Sequence, residues 1–324
     1  MSMPYRRLFE QIIKTGGNEM KFTCHHLFLG ALVAAASPVS ANIDIHFDYR
    51  YDSTGFFTGP NSSRQSILEA AASTFETRFQ DNLTAVVSSG SNNFDIRFFQ
   101  PDADKNITLP NFSVPADQIV VFVGAHDLGR SLAIGGPGGF SSTSSSSDFL
   151  DNAASRGQPG ALSAAQTDFG PWGGSISFNS ASSWYFDPNT RTDEPFTGYD
   201  LYSVAVHELG HVLGFGDAKS FNNLVVNNVF TGSAVHDLLG YDPTVTSGHW
   251  VEGLQYGGVE TAMDPTIAQG VRKHFTELDY AAMKDMGWQV SAVPEPETWG
   301  MMLAGLGLLG WRLRIRQHKA HKAA

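Results

Sequence analysis

Between Val204 and Phe215 the chain reads VAVHELGHVLGF, two histidines and a glutamate in a stretch that is apolar on both sides. Residues four apart share one helical face. His207 and His211 therefore present two imidazoles to one point, and Glu208, one step round, reaches a water there without occupying a ligand position. Burying these groups among valines and leucines is costly unless something satisfies them. A metal ion does, and His-Glu-x-x-His is the spacing that gives zinc two ligands and a neighbouring base. The five-residue pattern also occurs by chance on solvated helices, but there the flanks are polar. A catalytic zinc takes three protein ligands and keeps one open position, so the third must come from elsewhere in the chain.

The surrounding segments define the layer in which that helix sits. Ile43, Ile45, Phe47 and Tyr49 alternate with polar residues as in a first strand. Ile67, Ala71, Phe75 and Phe79 recur at helical spacing within Arg64 to Phe79. Phe94, Ile96 and Phe98 alternate again, and Ile119 to Val123 is a continuous apolar run suited to a central strand covered on both faces. Gly135 to Gly139 and the serine-rich run Ser141 to Ser147 read as a flexible surface loop, because no Gly-Lys-Ser/Thr follows to make the glycines a phosphate loop. Strand periodicity returns at Gly173 to Phe178. Residues 219–262 read as loop with short helices, and Thr276 to Asp279 reads as a capping box opening a last helix. The order predicts an α/β (α+β) fold: a twisted mixed sheet with helices, an irregular C-terminal subdomain, and a cleft between them.

Both ends differ from this middle. Met20 offers a second start, followed by Lys21, the apolar run Leu27 to Ala36 and Val39-Ser-Ala41, the plan of a secretory signal peptide. Residues 1–41 are read as an upstream extension with that signal, residues 42–293 as one domain, and residues 294–324 as a tail. The domain span carries 12 Lys and Arg against 28 Asp and Glu, a net charge of −16. That excludes nucleic acid as a natural partner and suits an extracellular protein. The only cysteine, Cys24, lies in the signal segment, so the domain has no disulfide and no cysteine to mask a metal. Asp102 to Asn106 lacks the glycine and distal glutamate of an EF-hand loop, and calcium is not assigned.

The tail runs Pro294-Glu-Pro-Glu-Thr298, then apolar Trp299 to Trp311, then Arg312-Leu-Arg-Ile-Arg316. It resembles the PEP-CTERM sorting signal of Gram-negative bacteria. The resemblance implies transient insertion in the inner membrane, an exosortase-type partner that cuts near Pro-Glu-Pro, and release to the cell surface or outside.

Gly214, three residues past His211, allows the helix to end in a left-handed turn, and Glu260-Thr-Ala-Met263-Asp-Pro265 resembles a Met-turn. His-Glu-x-x-His-x-x-Gly with a Met-turn resembles the metzincins, whose matrixin-like and leishmanolysin-like members are zinc peptidases. In that likeness Gly173 to Phe178 is the edge strand along which substrate lies. The common third histidine of the family is replaced here by Asp217, whose carboxylate is one candidate ligand. The other is His249 in Ser247-Gly-His-Trp250, fourteen residues before Met263. Leishmanolysin-like members insert a segment after the glycine and take their third histidine from such a His-Trp pair, and Phe230 to Ala234 resembles part of that insert. The resemblance favours His249, with Asp217 left as a surface or supporting carboxylate. His236 and His274 have no such context.

The resemblance implies a secreted zinc endopeptidase, a monomer acting on peptide or protein. Zn2+ sits on His207, His211 and His249, a zinc-activated water attacks, and Glu208 is the general base. The alternative is a catalytically silent member of the fold acting as a matrix or exopolysaccharide-associated binding protein. Its mark is loss of the glutamate or of a ligand, and Glu208 and both helix histidines are present.

Overall fold

A computed structural model of the chain describes residues 42–190, 194–292 and 305–306. The signal segment, and all of the apolar tail run except Gly305 and Leu306, lie outside the described residues.

The alternation at the start of the domain forms β1 (Asp44–Asp48), with Ile45 and Phe47 turned inward. After α1 (Gln65–Glu76) come β2 (Asn93–Phe99), β3 (Asn106–Leu109) and β4 (Gln118–His126). Next are β5 (Ala133–Pro137), β6 (Gly139–Thr143), α2 (Ser147–Ser155) and β7 (Gly173–Asn179). The main sheet has the order β1-β4-β7-β5, with β5 alone antiparallel. β4 is interior, as its apolar run requires. Ile119, Val121 and Val123 face one core, and Val120 and Phe122 face another. The first core lies under α1 and the helix carrying His207. The second lies between the main sheet and a separate antiparallel sheet, β3-β2-β6. β2 thus joins its own sheet rather than the layer of β1 and β4, because Phe94, Ile96 and Phe98 pack on Phe122 and Trp172 from the other side.

α1 buries Ile67, Leu68, Ala71, Ala72 and Phe75 on one face. Phe75 meets Phe275 edge-on at 4.8 Å, tying α1 to the C-terminal part. Each such buried phenylalanine contributes about 1.5–3 kcal/mol relative to an exposed one. The C-terminal part holds α3 (Leu201–Val212), α4 (Lys219–Asn222), α5 (Ser233–Leu239), α6 (Glu277–Asp285) and three two-stranded hairpins of two-residue strands. The capping box is present at Thr276 and Asp279.

Two expectations are corrected. The glycine run and the first half of the serine run are not a loop. Most of them form β5 and β6, because a ladder needs backbone groups rather than side chains, and Ser144 to Ser146 remain irregular before α2. And Gly173 to Phe178 is not an edge strand. β7 is paired on both sides and every residue of it is buried. The edge beside α3 is β5.

Candidate metal centre

α3 begins at Asp200, whose carboxylate accepts from the Ser203 backbone N–H at 3.2 Å and from Ser203 Oγ at 2.6 Å. Arg272 grips the same carboxylate through Nε at 2.9 Å and Nη2 at 3.0 Å. The helix is buried on nearly every side, which fits its apolar sequence. It ends as expected: Gly214 has φ of 103°, a conformation other residues avoid. Two residues on, the Gly216 backbone lies directly on that of Gly248, so closely that a side-chain carbon at Gly216 would overlap the Gly248 carbonyl. That contact between two glycines delivers the neighbouring His249 to the end of α3.

Three imidazoles meet there. The Nε2 atom of His249 is 3.1 Å from that of His207 and 3.0 Å from that of His211, and the last two are 3.1 Å apart. Among the described residues this is the one cluster of at least three His, Cys, Asp or Glu able to hold a metal ion. Each Nδ1 donates to a backbone carbonyl: His207 to Ala262 at 2.7 Å, His211 to Phe215 at 2.8 Å and His249 to Ser247 at 2.9 Å. A carbonyl only accepts, so each Nδ1 carries the proton and each Nε2 turns a lone pair to the common point. Three facing lone pairs repel one another unless a cation lies between them. Tetrahedral zinc with nitrogens at 2.0–2.1 Å separates them by about 3.3 Å, close to what is seen, so the donor set fits zinc. Burial, reinforced by His211, holds His207 well below the usual imidazole range. Burial and the nearby His249 bring His211 down to about 4. Both stay neutral, as ligands must be.

Asp217 is elsewhere. Its carboxylate approaches His211 at Nδ1, 4.0 Å away, on the far side of the ring from Nε2, and the side chain is half-exposed. Burial raises its carboxyl and His249 opposes that shift. His236 pairs with Asp242 on the surface, and His274 packs against Tyr202. Neither joins the cluster.

Glu208 is buried beside the three histidines, under β5. A side-chain carbon at Gly135 would come within 2.8 Å of both Cβ and Oε2 of Glu208. Burial pushes the Glu208 carboxyl up to about 8, against the Gly135 N–H that favours its charged form, with Asp217 adding to the rise. The cleft over these groups has a volume of about 840 Å³ and runs between β5 and the segments around Ser247 and Ala262 to Ile267.

The sequence did not reveal Asp279 as part of this assembly. Besides capping α6, its buried carboxylate accepts from Trp250 Nε1 at 2.9 Å and the Ala262 N–H at 3.0 Å. It thus holds the neighbour of one histidine and the residue that orients another. Met263 is fully buried and its sulfur packs on Gly210 between the two helix histidines. The sequence cue for Asp279, a capping box, names only its local role.

Residues 144–237 match the matrixin family model. The match takes in all of α3 and stops short of His249 and Met263. A second model, the PEP-CTERM protein-sorting motif, matches residues 292–317. The metalloendoproteinase 2-MMP of Arabidopsis thaliana is 26% identical over 162 residues, 48% of this chain and 40% of the relative's own length. The chain therefore aligns with less than half of that relative. No solved structure matches. The mixed α/β architecture agrees with the matrixin match, and with the sorting motif it marks an exported, metalloprotease-like protein. No helix of the described residues is long and apolar enough to cross a membrane.

Proposed function

We propose that the protein is a secreted zinc-dependent endopeptidase. The reading rests on one observation above others: three Nε2 atoms 3.0–3.1 Å apart, every ring fixed at Nδ1 by a backbone carbonyl, with a buried glutamate beside them. His207, His211 and His249 are the ligands in this reading, and the Ala262-Met263 segment is the Met-turn beneath them. A zinc ion held there supplies Lewis-acid polarisation of the scissile carbonyl and acidifies a water. Glu208 takes the proton of the attacking water on its carboxylate and hands it to the leaving amine. Its raised affinity for protons is set by burial, and a divalent ion held by the three histidines would favour its ionised, basic form. β5, the free edge of the main sheet, binds an extended peptide through its backbone, and Gly135 keeps that edge open above Glu208.

Residues 42–293 form the catalytic domain in this proposal, after an extension and signal peptide over 1–41. Residues 294–324 form the sorting tail, a division supported by the motif match over 292–317. The partners are a peptide or protein substrate and an exosortase-type enzyme.

Casein cleavage by the full chain tests the reading. Activity is expected to vanish on chelation and return with added zinc. Glu208→Gln is expected to retain zinc and lose about two to four orders of magnitude in turnover, the usual weight of a general base. A Glu208→Gln protein as active as the wild type would falsify the mechanism.

A further inference from the structure

The two ends of the cleft differ in charge. Along α3 the order is Ser203 and Val204, then His207 and Glu208, then His211, and past the helix Gly216 and Asp217, all of which line the cleft. At the Ser203 end the acids are satisfied. Lys273 bonds Asp264, donates to Glu260 at 3.0 Å and donates to the Thr266 carbonyl at 2.7 Å. At the other end Asp217 has no lysine or arginine partner among the described residues. The nearest basic ring, His211, is 4.0 Å off and gives its Nδ1 proton to Phe215. The Asp217 side chain is half-exposed and faces Gly136, where a side-chain carbon would come within 3.6 Å of its Oδ2. The fold uses only the Asp217 backbone: its N–H bonds Gly214 and its carbonyl accepts from Asn222.

The strand beside it sets a direction. β5 runs from Ala133 to Gly135, over Glu208, and on to Gly136, beside Asp217. A peptide added antiparallel, the more stable pairing, runs the opposite way. Residues N-terminal to the bond at Glu208 therefore lie toward Asp217. Strands advance about 3.4 Å per residue, so Asp217 stands one or two residues from that bond.

We propose that Asp217 gives the cleft a preference for lysine or arginine one or two residues N-terminal to the bond cut, a specificity that rests on the peptidase reading above. The long stem of either residue crosses the glycine-lined floor and its cation meets an acid that has no other cation. The charge of a bound metal and of Glu208 is common to every substrate and partly self-cancelling. The discrimination comes from the contact with Asp217 itself.

The test uses zinc-loaded full-length protein and a synthetic peptide library of mixed sequence, with cut sites read by mass spectrometry. For the wild type, Lys and Arg at one of those two positions are expected to exceed leucine by about two- to fivefold, the upper part of the range of a half-exposed ion pair. Asp217→Asn is expected to bind as much zinc and lose that excess, and Asp217→Lys to favour Asp or Glu there instead. The proposal fails if the wild type shows no basic preference, if Asp217→Asn keeps it, or if Asp217→Asn loses zinc. A library left uncut by the zinc-loaded wild type overturns the peptidase reading, and this specificity with it.

Discussion

His249 and Asp217 compete for one role, and their surroundings differ in kind. His249 has its Nδ1 proton fixed on the Ser247 carbonyl and its neighbour Trp250 fully buried against Phe215 and Phe230. Its ring is therefore aimed before any ion arrives. Asp217 follows Gly216, keeps its side chain half in solvent and points at the proton-bearing edge of His211. Contacts that merely support a ligand are worth about 10- to 100-fold in metal affinity, and removal of a ligand is expected to cost more. His249→Ala should thus purify with far less than one zinc per chain, and Asp217→Ala with the wild-type content. Metal analysis of the two proteins side by side decides it, and the reverse pattern would return the third position to Asp217. His207, Glu208 and His211 were legible because one helix turn brings them together, so local spacing is enough. His249 is 38 residues from His211. Spacing carries nothing over that span, and only the His-Trp pair before Met263 pointed to it.

At the scale of elements, buried polar residues join what the helices and hairpins leave separate. Arg272 and Lys273 are successive residues that tie the start of α3 to the segment beyond Met263. One is bonded to the cap of α3 at Asp200, the other to Asp264 and Thr266 beyond Met263. Asp279 does the same from the start of α6, accepting from Thr276, Trp250 and Ala262. Each donor stranded in the interior costs about 1–3 kcal/mol, so Asp279→Ala is expected to lose at least about 3 kcal/mol of stability. Urea unfolding of the chelated protein measures this without any contribution from metal, and a loss under about 0.5 kcal/mol, within the range of a neutral surface change, would remove Asp279 from the support of the site. Periodicity made α1, β1, β4, α3 and α6 readable. It missed β5 because Gly135, Gly136 and Pro137 have no apolar alternation to show, although their backbone pairs in register with Gly174 to Ile176. The metzincin likeness took β7 for the edge strand, and periodicity could not correct it, since alternation reports the faces of a strand and says nothing about its neighbours.

For the whole molecule, the question is how a chain of this design leaves the cell and remains folded. Its one cysteine precedes the domain, so stability rests on the two aromatic-rich cores and on whatever ion the histidines hold. The domain span is strongly acidic, whereas the tail after Trp311 is basic. If the tail inserts in a membrane, the arginines after Trp311 favour a cytoplasmic position for its end. The apolar run Trp299 to Trp311 has 13 residues, which as a helix spans about 20 Å against a hydrocarbon core of about 30 Å. A segment of that length falls short of a full span, which agrees with a signal that is cut rather than a permanent anchor. The PEP-CTERM match over 292–317 implies recognition by an exosortase-type enzyme. In its native host the released protein is therefore expected to end near Pro294, with Trp299 to Trp311 missing from its mass. Replacing Pro294, Glu295 and Pro296 by alanine should leave the full-length chain in the membrane fraction. Released protein with an intact tail, or normal release of the alanine variant, would mean that sorting does not proceed through this motif.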